Sequence, residues 1–180
     1  MRTLHIGLTD KQRKGSVEAL NTALGNAMLL VVKTKKAHWD VVGPQFRALH
    51  TMLDEQYAKV NEFVDAIAER IRALGGFPIA TMKGFLEVST LKEEPEGVPN
   101  PKEAVSILLD DHEAVIRHLR TAAESVESEC GDRGTADFLT GIFTAHEEMA
   151  WMLRAFLEEV PAWRERGDNE SAAHRHSSAS

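Results

Sequence analysis

The sequence predicts an all-α protein: a four-helix bundle with a short extra helix in the long connection between its second and third members. Three observations predict it. Apolar residues recur every three or four positions through four long stretches, the period of a helix with one buried face. Each stretch is closed by residues that start or stop helices. Strand-like signals are nearly absent, the Val-Val pairs at 31–32 and 41–42 being their only trace. At 180 residues the chain fits one domain.

The first helix is expected from about Asp10, capped by Thr9 or Asp10, until Gly43-Pro44 stops it, with Val17, Leu20, Leu24, Met28 and Val31 on its apolar face. The second opens at Pro44, a favourable first-turn residue. It runs to Gly75-Gly76, and Phe46, Leu49, Leu53, Val60, Val64, Ile67 and Ile71 share one face. Residues 77–99 form a long connection with a short helix at Met82–Val88. Asn100-Pro101 supplies a cap and first turn for the third helix, and the chain turns between Gly131 and Gly134. The fourth is expected from Thr135 to about Val160, where Pro161 ends it. The expected division is an arm over 1–9, a bundle over 10–160 and a polar, disordered tail over 161–180. Helices of this length around one core make a four-helix bundle.

Composition narrows the class of function. Hydrophobic residues make up 43% and charged residues 27%, a globular balance. The single cysteine, Cys130, excludes an internal disulfide and a cysteine-based zinc site. The longest apolar run, Ala27–Val32, is far too short to cross a bilayer, and the N-terminus lacks the apolar segment of a signal peptide, so a cytoplasmic location without membrane contact is expected. Twenty-one basic against 28 acidic residues give a net charge of −7. Residues 1–14 are locally +3 and residues 161–180 are neutral, leaving −10 on the body. Such a body repels nucleic acid and attracts cations.

The chemistry concentrates on the first two helices. His38 closes the first helix beside Trp39. His50 lies on the second, with Asp54 four residues on, and Asp65 and Glu69 form a further pair four apart. Side chains at i and i+4 can address a common ligand. At about 100° per residue, positions 50, 54, 65 and 69 fall within a sector of roughly 100°, yet Asp54 and Asp65 stand about 16 Å apart along the axis. One metal centre cannot use both pairs from a single helix. A second copy packed antiparallel about a two-fold axis would set Asp65 and Glu69 of one chain opposite His50 and Asp54 of the other. The spacing therefore predicts two identical sites at a dimer interface, each built from both subunits.

At these residues the sequence resembles the Dps family of mini-ferritins. The family pattern is a His-Trp, a His twelve residues on, an Asp four beyond, an Asp eleven further and a Glu after four more, then Arg and Leu-Gly. His38, Trp39, His50, Asp54, Asp65, Glu69, Arg70, Leu74 and Gly75 match every element. The looser resemblance spans about residues 8–160. It implies a ferritin-like bundle assembled from two-fold dimers into a hollow shell of twelve. It also implies an intersubunit ferroxidase centre, with His38, His50 and Asp54 from one subunit and Asp65 and Glu69 from its partner. Iron is the implied metal and no haem is expected. Carboxylates with imidazole hold iron(II), leave positions open for oxidant and tolerate iron(III). The implied activity is oxidation of iron(II), preferably by hydrogen peroxide, and storage of the iron(III) mineral, protecting the cell and its DNA. Zinc could also occupy such a ligand set.

Further residues carry two readings each. Trp39 either packs or shields and exchanges electrons beside the ligands. Asp132 and Asp137, opening the fourth helix, either guide iron at a pore or favour the helix N-terminus as carboxylates do there. His112, His118 and His146 lack a matching carboxylate set and are expected as surface or satisfied core residues. A site inside one subunit would need Glu-x-x-His motifs on two helices, and none occurs. The alternative function is binding and compacting DNA, with association with the nucleoid. Family members bind DNA mainly through lysine-rich tails; this C-terminal tail has no lysine, although His174 and His176 could hold a metal weakly. Lys11, Arg13 and Lys14 are the candidate DNA contacts, weak and salt-sensitive.

Overall fold

The computed structural model describes residues 4–93, 97 and 99–158. Among them are five helices and no strand: α1 (Asp10–Asp40), α2 (Phe46–Ala73), α3 (Met82–Val88), α4 (Pro101–Cys130) and α5 (Arg133–Leu157). The four long helices form the bundle and the short helix falls in the connection, as the sequence predicts; α3 packs on α1. The C-terminal tail, with His174 and His176, falls outside the described residues.

Caps explain most boundaries. Thr9 starts α1 through a capping box, its hydroxyl accepting from the Gln12 N–H while the Gln12 side chain returns to Thr9. Asn100 caps α4 ahead of Pro101, and Gly131, at φ 63°, ends that helix in the left-handed conformation. Two starts differ from expectation. Pro44 stays in the turn, with Gly43 at φ 100°, and α2 begins at Phe46 without a side-chain cap. Asp132 accepts from the Thr135 N–H at 3.0 Å, which starts α5 at Arg133, two residues before the expected Thr135.

The core is aliphatic and continuous. Leu20 and Leu30 of α1, Leu53, Val60 and Ile71 of α2, Val105 of α4, and Leu139 and Leu153 of α5 are all fully buried. Burying each such side chain contributes about 2 kcal/mol. α1 contains an 18-residue window of mean hydropathy 1.2, long and apolar enough to cross a membrane by those criteria alone. Half of that window is buried in the bundle, and the helix carries polar Asn26 and Thr34 at 0% exposure, which is the character of a core helix. Asn26 also fixes α3, its carbonyl accepting from the Ser89 hydroxyl and the Thr90 N–H.

Candidate metal centre

α1 and α2 form a hairpin whose tight corner, residues 41–45, sets the last turn of α1 against the opening turns of α2. His38 and His50 meet there. His38 Nδ1 donates to the His50 carbonyl at 3.0 Å, and His50 Nδ1 donates to the His38 carbonyl at 2.9 Å. The rings stack with centroids 3.7 Å apart. A carbonyl only accepts, so each Nδ1 must carry a proton, and each neutral ring then presents its lone pair at Nε2. This is the tautomer a metal ligand needs, held by the outer hydrogen bond that usually orients ligating imidazoles.

Asp54 lies one turn beyond His50, with Oδ1 3.8 Å from His38 Nε2. Lys35 donates to the same oxygen at 3.0 Å and lies 4.1 Å from the centre of the Tyr57 ring. The hydrogen bond from Lys35, reinforced by the charge of its ammonium, holds the Asp54 carboxyl below its usual range. The carboxylate is therefore ionised wherever iron(II) is soluble near neutral pH. Lys35 was missed in the sequence. Its position three residues before His38, on the same helical face, was the available signal.

Asp65 and Glu69 stand exposed further along α2, and among the described residues neither makes a hydrogen bond or ion pair. No group of three or more His, Cys, Asp or Glu converges on a metal position among the described residues. One chain thus places His38, His50 and Asp54 in one neighbourhood and leaves Asp65 and Glu69 apart. Around the histidines the surface is apolar: Trp39 is 68% exposed, with Val42 and Phe46 beside it. Among the described residues Trp39 is left largely uncovered.

Two candidate residues are engaged within the fold. Asp132 is buried, and both carboxylate oxygens are engaged by Thr135 and Arg70, the latter at 3.2 Å. Burial alone would raise its carboxyl, but the Thr135 hydrogen bonds and the Arg70 charge leave it below the usual value. In this chain it caps α5, while Asp137 lies on the surface beside Glu124 and Glu127. Arg13, expected as a DNA contact, is committed to the fold: its guanidinium donates to the Leu74 carbonyl at 3.0 Å and pairs with Asp10. Lys11 and Lys14 remain exposed. His112 and His146 are core residues, their Nδ1 atoms 2.9 Å apart and their side chains closed off from water.

The ferritin-like domain family matches residues 17–162. The chain belongs to the Dps family within that class. It is 39% identical to "DNA protection during starvation protein 2" of Bacillus anthracis over 81% of this chain and 99% of that one. An uncharacterized low temperature-induced protein of Nostoc sp. is 54% identical, over 89% of this chain and 90% of its own. A Dps protein of Vibrio cholerae O1, described as a member of a broad superfamily of ferritin-like diiron-carboxylate proteins, superposes with a TM-score of 0.80 at 29% identity. That match covers 88% of this chain and 98% of the other.

Proposed function

We propose that this protein is a ferroxidase that oxidises iron(II) with hydrogen peroxide and stores the iron(III) mineral inside a cytoplasmic shell of twelve chains. Iron is the substrate and cargo. The observation that carries the reading is the reciprocal bonding of His38 and His50, which fixes both Nε2 lone pairs, that of His38 3.8 Å from the ionised Asp54. That donor set, imidazole with carboxylate, suits iron(II) and remains competent as iron(III) forms. Asp65 and Glu69 of a two-fold partner complete each centre. Two-fold packing also covers Trp39, Val42 and Phe46, whose exposure on one chain is otherwise costly.

In the reaction each of two iron(II) ions gives up one electron. The O–O bond of one hydrogen peroxide accepts both and breaks to two hydroxides, so hydroxyl radical is avoided. Lys35 donates to one Asp54 oxygen and orients the carboxylate, whose remaining lone pairs stay open to iron. Anaerobic iron(II) titrated with peroxide should be oxidised at about two irons per peroxide, the ratio this electron count requires. A ratio near one iron per peroxide would contradict paired oxidation. A titration with zinc in place of iron should occupy the same ligands and block oxidation.

Binding to DNA is assigned a minor part. With Arg13 held by Leu74 and Asp10, Lys11 and Lys14 are the candidate contacts left to release counterions. Twelve copies raise the avidity of weak contacts. Gel retardation is expected at low salt and lost at physiological salt or on replacing Lys11 and Lys14 by alanine. Tight binding at physiological salt that survives those replacements would make the protein a nucleoid component first.

A further inference from the structure

The two halves of the proposed centre are held in different ways. His38 and His50 are locked by each other's backbone, and Asp54 is held by Lys35. Asp65 and Glu69 have no such partner among the described residues, so their placement is inherited wholly from the backbone of α2. What fixes that backbone lies one residue beyond Glu69. Arg70 Nε donates to the Thr135 hydroxyl at 3.0 Å, and its outer nitrogen donates to Asp132 Oδ1 at 3.2 Å.

The receiving pocket is built for this guanidinium. Asp132 and Thr135 are buried, and the Thr135 hydroxyl donates in turn to Asp132 Oδ2 at 2.6 Å. A side chain at Gly134 would begin 3.2 Å from the guanidinium, so a residue without one borders the pocket. Ile67 and Ile71 bury the opposite edge of this segment, but aliphatic packing tolerates small slides that a forked hydrogen bond does not. α2 otherwise meets α5 at few points, among them the Gln56 side chain on the Met149 carbonyl and the Phe63 ring, 5.5 Å from the His146 ring, and neither fixes the segment by a fork.

We infer that Arg70 is the positioning residue of the acidic half-site, setting the axial and rotational position of Asp65 and Glu69 through its fork to Asp132 and Thr135. The inference rests on the shared-site ferroxidase reading and names how that site is held. Arg70 touches no iron. Loss of an outer support of this kind costs metal affinity by about 10- to 100-fold.

The test uses assembled full-length protein and two probes: iron(II) with peroxide, and cobalt(II) alone, whose visible spectrum reports coordination. Wild type is measured first; failure to oxidise iron there would sink the ferroxidase reading itself. In Arg70→Met, and in the milder Arg70→Lys, the iron concentration for half-maximal rate should rise about tenfold or more. The cobalt(II) spectrum should change with it. Thr135→Ser keeps the hydroxyl and should match wild type in both. A lower melting temperature with wild-type iron dependence and an unaltered cobalt(II) spectrum would show that Arg70 merely stabilises the bundle, overturning the inference. If Arg70→Met fails to assemble, Arg70→Lys decides: its charge can reach Asp132, but it has no fork for Thr135.

Discussion

Replacing His50 and Asp54 together by alanine should abolish peroxide-dependent iron oxidation while leaving the shell assembled. The expected loss is large because two ligands of one centre disappear. Removing even the outer partners of a ligand costs ~10–100-fold, so losing ligands should cost at least roughly a hundredfold in rate at limiting iron. The stability cost should be small by comparison. Asp54 is exposed, and its pair with Lys35 is a surface contact. His50 donates one hydrogen bond to the His38 carbonyl, worth about 1 kcal/mol. Stopped-flow absorbance of iron(III) formation, with light scattering to confirm the assembly, separates the two effects. A double variant that oxidises iron at the wild-type rate would remove these residues from the centre.

The second large effect is a loss of stability in acid, and it comes from the core rather than the metal centre. His112 and His146 face each other through Nδ1 atoms 2.9 Å apart, and a neutral pair shares one proton there, one ring donating and the other accepting. His112 Nε2 is buried without a partner. Burial pushes the His146 imidazole down to about 4, and burial together with its neighbour holds His112 well below its usual range. Unfolded, both rings titrate near 6.5. The unfolded chain therefore binds more protons than the folded one between these limits. The contribution is full above about pH 6.5 and is lost as the pH falls toward 4. For His146 alone the loss is about 3 kcal/mol at the lower end, since each pKa unit is worth roughly 1.4 kcal/mol. That corresponds to roughly 6–12 °C in melting temperature for a chain of this size. Thermal melts of the wild type and of a His112→Leu/His146→Leu variant, compared from pH 7 to pH 4, should converge as the pH falls. Parallel melting curves across that range would show that the pair stays outside the acid response.

Much of this was legible in the sequence because it depends on local rules. Asn100-Pro101, Thr9 and Gly131 announce helix ends whatever the tertiary context. The spacing of His50, Asp54, Asp65 and Glu69 along one helix already shows that a single chain cannot gather them. In the structure the first two lie near His38, and the last two stand apart, with no hydrogen bond or ion pair among the described residues. What the sequence concealed were roles assigned by packing between distant segments. Arg13 reads as a free basic residue, but the end of α2 reaches it through the Leu74 carbonyl, 61 residues away. Asp132 reads equally as a pore carboxylate or a cap, and its pairing with the Arg70 guanidinium, 62 residues away, is written in no local pattern. Pro44 reads as a helix start; the positive φ of Gly43 places it in the corner instead. The facing of His112 and His146 required α4 and α5 to be packed side by side before either ring had a neighbour.

The central claim is that each centre is built by two chains, and a complementation experiment tests it most directly. One variant lacks His38 and His50; the other lacks Asp65 and Glu69. Each alone should be inactive, since every two-fold dimer then has both centres damaged. Unfolded, mixed in equal amounts and reassembled, half of the dimers should be mixed. Each mixed dimer should hold one intact centre and one doubly damaged centre, returning about a quarter of wild-type activity. Mixed assembly without any recovered activity would contradict the shared centre and return all five residues to a single chain.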